Sequence, residues 1–219
     1  MTVEQRLDQL EKRNKRLTVA LTMMAMAAIT IQFSACGDDP AGPSTKCDVS
    51  DVGALAGRDL SECELKGADL WRADLRNAYL TRANLQGAYL TRAYLVDANL
   101  SFANLESANL ESANLQGAYL VDANLVGTNL GGANLVGAML VGANLRGANL
   151  KGANLVGAML DRAMLDRANL RGAILVDANL KGANLVGAML DRAILEGVIL
   201  EGAILEGAIE PPPSRSAPP

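Results

Sequence analysis

Every fifth residue from Leu55 to Leu205 is leucine, 31 consecutive positions without a break. No continuous helix or strand can use this spacing. On an α-helix each residue turns about 100°, so five residues leave an offset of roughly 140° and the leucines scatter around the axis. On a strand the side chains alternate between faces, so residues five apart point to opposite sides. The chain must therefore bend once per pentad to return each leucine to one interior.

The remaining places of the pentad say how. Two residues before the leucines, from 68 to 208, there are 29 positions, and all are alanine except Thr128 and Val198. In extended chain, residues i and i−2 share a face. Leucine and alanine thus point inward, and the residue between them points outward. Of the 21 glycines, 17 sit two residues after a repeat leucine. A type II turn needs φ > 0 at its third residue, which glycine adopts without a Cβ clash. Asn77, Asp97, Asp122 and Asp177 stand in for glycine there, as residues that tolerate that conformation. Arg82 and Ser107 at the same place predict a different turn. The expected object is a stack of coils about 4.8 Å apart, bonded backbone to backbone, with a bore filled by leucine and alanine.

Stretches such as Ala83-Asn84-Leu85-Gln86-Gly87 and Ala148-Asn149-Leu150-Lys151-Gly152 resemble the pentapeptide-repeat proteins, and the resemblance covers residues 53–209. It implies an all-β fold, a right-handed quadrilateral β-helix with four pentads per coil and a rod about 37 Å long. On that register Asn84, Asn104, Asn124 and Asn144 stack on one face. Asn109, Asn129, Asn149 and Asn169 stack on the next, and Asn114, Asn134 and Asn154 on a third. These are candidate amide ladders. The fourth face carries Tyr79, Tyr119, Met139, Met159 and Ile199, a candidate interface. Arg58 occupies an inward place, and a buried unpaired charge is costly. Residues 48–59 therefore read as a frayed or capping coil, with the regular helix starting near residue 60.

The segment before the repeats has a different character. Residues 1–16 are charged, and Val3, Leu7, Leu10, Leu17 and Leu21 fall at 4-3 spacing with Asn14 in the missing place, the pattern of an amphipathic helix or a short coiled coil. From 17 to 37 no residue is charged, and 21 residues as a helix span a bilayer. A basic run ending at Arg16 precedes this segment and Asp38-Asp39 follows it, which keeps the N-terminus in the cytoplasm and sends the repeats across. Phe33-Ser34-Ala35-Cys36 also looks like a bacterial lipoprotein cleavage box, with Cys36 as the lipidated residue. Transmembrane anchor and lipoprotein both stand as expectations. Both place the repeats outside the cytoplasm, in the periplasm or at the cell surface. If Cys36 is the anchor, Cys47 and Cys63 remain as a candidate disulfide pair. Residues 38–52 read as a linker and cap, and 210–219 as a proline-rich tail.

No residue set for catalysis, cofactor or metal emerges. The chain has no histidine, which removes Ser-His-Asp and Cys-His nucleophiles and every histidine metal site. Pairs such as Asp161/Arg162 and Asp166/Arg167 read as solvated surface charge. No nucleic-acid partner is expected, since the net charge is −4. Toward the C-terminus the outward place turns apolar, and Val198, Ile199, Ile204 and Ile209 gather beside the proline run. Such a cluster at an open end is a candidate for self-association. The sequence thus suggests a non-catalytic, membrane-tethered structural or interaction rod. The family resemblance supplies an alternative, since some members mimic duplex DNA, bind type II topoisomerases and confer quinolone resistance. Residues 51–210 carry 18 acids and 13 bases, against roughly 20 charges on ~37 Å of duplex. The members of that type also usually carry loops that interrupt the coil, and this chain has none there.

Overall fold

A computed structural model describes residues 45–208. The segments 1–16, 17–37 and 210–219, with Cys36 and Ile209, lie outside the described residues. So does the expected N-terminal helix. Among the described residues no helix is long and apolar enough to cross a membrane.

Each pentad closes a tight turn in which the N–H of the alanine donates to the leucine carbonyl three residues back, as in Ala83 to Leu80 at 3.0 Å. The outward residue then forms a single parallel bridge with the residue 20 later: Asn84 with Asn104, Asn104 with Asn124, Met139 with Met159. This register holds from Asp59 to Ile204 and makes four pentads per coil. The fold is a right-handed β-helix, and the spacing of 20 gives it four sides.

The backbone accounting explains the pentad. Leu85 N–H donates forward to Asn104 at 2.7 Å, Gly87 N–H to Glu106 at 2.9 Å, and Asn84 N–H back to Cys63 at 2.9 Å. With the turn bond, four of five N–H groups are satisfied by backbone. Where the outward residue is Asn or Asp, its side chain meets the fifth, one residue after the leucine, as in Lys151 N–H to Asn149 Oδ1 at 3.2 Å and Trp71 N–H to Asp69 Oδ1 at 3.1 Å. The asparagine in the repeat is therefore a turn acceptor as well as a surface group.

Inside, the leucines from Leu55 to Leu190 and the alanines from Ala73 to Ala193 are buried, most at 0–1% exposure. Thr128, which replaces one alanine, is buried too, and its Oγ1 donates to the Leu105 carbonyl at 2.8 Å. Large leucine and small alanine side chains together occupy the bore.

The turn prediction for the residues replacing glycine is corrected here. Every third turn residue from 57 to 207 has φ between 53° and 69°, including Arg72, Arg82, Arg92, Phe102, Ser107 and Ser112. No separate turn type exists at the Arg and Ser positions. The reason lies in the stack: the N–H of this residue must reach the next coil, as Arg82 does to Ser101 at 3.1 Å. That bond, made at every coil that has a successor among the described residues, overrides a local preference worth about 1–2 kcal/mol. Two glycines separate this backbone term from packing. A Cβ on Gly147 meets open space, whereas a Cβ on Gly142 collides with Asp122 Oδ1 of the preceding coil. Gly147→Ala is expected to lose about 1 kcal/mol. Gly142→Ala should lose clearly more, with the excess removed by Asp122→Gly, as read by thermal unfolding.

The first coil has a built cap. Cys47 and Cys63 are joined by a disulfide with a Cα–Cα distance of 5.5 Å, tying the short 3-10 turn Thr45–Cys47 to the inward face of the first coil. Val49 and Val52 pack against the core. Arg58 leaves the bore: its guanidinium donates to the Asp48 carbonyl at 2.7 Å and to the Lys46 carbonyl at 3.3 Å. Coil pairing is already present before residue 60, with Asp74 N–H on the Val52 carbonyl at 2.8 Å and Gly57 N–H on Arg76 at 2.8 Å.

Candidate functional site

The register sorts the outward side chains into four columns. Tyr79, Asn99, Tyr119, Met139, Met159, Asn179 and Ile199 form the first, so the five apolar residues expected there do share a face, interrupted by Asn99 and Asn179. The second column runs from Glu64 through the asparagines 84–144 to Met164, Asn184 and Ile204. The third and fourth carry Tyr89 and Tyr94 followed by their asparagines.

Amide ladders run along three columns. Asn104 donates to Asn84 at 3.3 Å, Asn124 to Asn104 at 3.0 Å, Asn149 to Asn129 at 2.9 Å, Asn169 to Asn149 at 3.2 Å and Asn134 to Asn114 at 3.1 Å. Charged corners pair in the same 20-residue step. Arg146 Nε lies 2.9 Å from both Asp166 oxygens, Arg171 Nε 2.9 Å from Asp191, and Lys181 Nζ 2.9 Å from Glu201. Exposed pairs of this kind contribute little each. They correct the picture of freely solvated charge at these corners: Asp166 binds Arg146 of the coil before, and Asp161 Oδ1 accepts from Asn179 at 2.8 Å. The Arg76 guanidinium on Asp74, at 2.6 Å, holds that carboxyl below the usual range.

The two ends differ. At the N-terminal end the cap covers the bore. At the C-terminal end Ile194, Ile199 and Ile204 are outward and about half exposed, on three different faces. Leu200 and Leu205, inward by register, are 36% and 40% exposed because no further coil among the described residues covers them. Val198 takes an inward place and is partly buried against the core, so it belongs to the end of the bore and not to the outer faces. Sequence reasoning missed Leu200 and Leu205 as surface residues, because only the end of the stack makes an inward leucine exposed.

Among the described residues no group of three or more His, Cys, Asp or Glu could hold a metal ion. The described residues form a filled solenoid with four long faces and two unlike ends.

The chain belongs to the pentapeptide repeat family, whose model matches in 8 copies over residues 59–95, 93–132, 129–165, 138–175 and 163–202. Such proteins are generally structural or interaction proteins. The fold is similar to that of a trypsin-treated variant of QnrB1, a plasmid-mediated fluoroquinolone resistance protein, at 19% identity and a TM-score of 0.53, covering 70% of this chain and 85% of that one. HetL, a pentapeptide repeat protein involved in heterocyst differentiation regulation in the cyanobacterium Nostoc sp. strain PCC 7120, is 33% identical over 68% of this chain and 86% of its own, with a TM-score of 0.25. A pentapeptide repeat protein of the Arabidopsis thaliana thylakoid lumen is 28% identical over 66% and 77%, with a TM-score of 0.34. No curated protein sequence matches this chain.

Proposed function

We propose that this protein is a non-catalytic rod, tethered to a membrane by its N-terminal segment and presenting its repeat surface outside the cytoplasm. The observation that carries the reading is the uncharged run 17–37, basic before and acidic after. The fullness of the bore supports it. The interior places of the repeat unit are taken by leucine and alanine, which leaves none for 21 further uncharged residues. Flotation of the full chain with membranes, followed by its intact mass, is the test. Full-length mass in the floating fraction supports a helical anchor, and loss of 1–35 with added lipid supports attachment through Cys36. A chain that stays in the aqueous fraction overturns both.

The exposed C-terminal coil supports self-association. Ile199 and Ile204 flank the open end, with Leu200 and Leu205 at its mouth, and water against such apolar surface costs about 25 cal/mol per Å². The cap at the other end makes a C-end to C-end dimer the closed arrangement. Sedimentation of the detergent-solubilised chain should show a dimer that Ile199→Lys with Ile204→Lys converts to monomer. A monomer unchanged by the two lysines would refute the interface.

The similarity of fold to QnrB1 favours one alternative, a topoisomerase-binding rod that imitates duplex DNA. Its net charge over 51–210, −5, is about one quarter of the roughly 20 that duplex of the same length carries. Failure of the chain to alter gyrase inhibition by a quinolone in vitro would eliminate it.

A further inference from the structure

The aromatic residues of the repeats are gathered at one end of the rod. Trp71, Tyr79, Tyr89, Tyr94 and Phe102 fall within 32 residues, and only Tyr119 follows. Each of the five exposes 46–58% of its surface. In the 20-residue register they span about one and a half coil rises, or about 7 Å of rod length. Tyr79, Tyr89 and Tyr94 stand on three of the four faces, and Trp71 and Phe102 at corners between faces.

Arginines interleave with them. Arg72 lies over the Trp71 ring at 5.0 Å, and Arg82 over Phe102 at 6.0 Å. Arg92 sits one coil above Arg72 on the same corner, and no lysine or arginine occurs between Arg92 and Arg146. Arg72, Arg82, Arg92 and Phe102 all occupy left-handed positions, at φ 55° to 61°, where glycine would be less strained. Beside this aromatic belt, at the capped end, Val49, Val52 and Trp71 line a shallow groove.

We propose that this belt is a membrane-interface collar, which seats the N-terminal end of the rod in the headgroup layer of a phospholipid bilayer. The inference rests on the tethered reading above. Tryptophan and tyrosine favour that layer because an apolar ring and a polar edge are satisfied at once. Arginine adds an apolar stem and a planar fork suited to lipid phosphate. Position agrees with chemistry. Seven residues, 38–44, separate the uncharged segment from the first described residue, a reach of at most about 25 Å. An anchor at Cys36 gives nearly the same reach. Three acids of the same coils are paired with bases of the protein, Asp74 with Arg76 at 2.6 Å, Asp59 with Lys46 at 3.4 Å and Glu62 with Arg82 at 3.7 Å. Their repulsion from anionic headgroups is reduced accordingly.

Trp71 is the only tryptophan in the chain, so intrinsic fluorescence reports on the collar alone. The full chain is reconstituted into phosphatidylcholine–phosphatidylglycerol vesicles containing lipid spin-labelled near the headgroup. Trp71 emission should shift to the blue and lose most of its intensity. A variant combining Arg72→Ser, Tyr89→Ser, Arg92→Ser and Tyr94→Ser, all outward, should still float with the vesicles but show unquenched, water-like emission. A floating wild-type chain whose Trp71 stays unquenched overturns the collar, leaves the tether standing and assigns the belt to a protein partner. Equal quenching in the variant also overturns it, because the tether alone then explains the proximity. A chain that does not float removes the tether and the collar together.

Discussion

Leu150→Asp is expected to abolish folding of the central coils. Leu150 is 1% exposed, and its N–H bonds Asn169 of the next coil at 2.8 Å. Replacing it removes a buried leucine, worth about 2–5 kcal/mol. It also places a carboxylate in a bore with no partner, which adds several kcal/mol or forces the group to protonate. In a solenoid each coil is stabilised only by its two neighbours. A break in the middle therefore uncouples the halves instead of weakening one spot. Leu130→Asp should behave alike. Asn149→Asp, one residue away and outward, is the control. It keeps the acceptor for Lys151 N–H and loses the bond donated to Asn129 at 2.9 Å, a cost of about 0.5–1.5 kcal/mol. Equal thermal midpoints for Leu150→Asp and Asn149→Asp would refute the inward leucine assignment.

Removing the cap's cross-link should have the next largest effect. Cys47→Ser opens a link across 16 residues, for which the loop-entropy model gives about 3 kcal/mol. The loss will fall first on the N-terminal coil, because the cap touches no other. Hydrogen exchange at Leu60 and Leu65, whose N–H groups bond Tyr79 and Asn84 at 2.7 and 2.8 Å, should accelerate well before exchange at Leu130 or Leu150. Reduction of the wild-type chain should reproduce the pattern. Protection at Leu60 and Leu65 unchanged by either treatment would show that Arg58 and the valines hold the cap without the disulfide.

The duplicated stretch sets a limit on how specific the long faces can be. Lys151–Ala163 and Lys181–Ala193 are identical, yet 30 residues is one and a half coils. Lys151 and Lys181 therefore stand at opposite corners. Growth by pentads without regard to face suits a scaffold, whereas the disulfide-linked cap occurs once.

Much of the interior was legible from the pentad. Leucine and alanine every five residues leave only a chain bent once per pentad with both side chains inward, since helix and strand periods scatter them. The tolerance of the turn for Asn77 and Asp97 was legible for the same local reason. The number of sides was not. It came with the family resemblance, because a period of five fixes one bend but not the angle at which successive bends close. Only the bridges from each outward residue to the one 20 later decide which side chains are neighbours, and with them the ladders, the ion pairs from Arg146 to Asp166 and the ring of aromatics.

Tertiary structure also decided two matters on which local chemistry pointed the other way. Arg82 and Ser107 adopt the glycine conformation because their N–H groups must bond the next coil. Arg58, inward by position, turns out of the bore because the carbonyls of Lys46 and Asp48 lie within reach over the open first coil. By itself the sequence determined what lies inside, since that depends on periodicity alone. Which outward residues meet, and how the ends are closed, depended on hydrogen bonds between residues 10 to 20 apart, which a pentad taken alone does not contain.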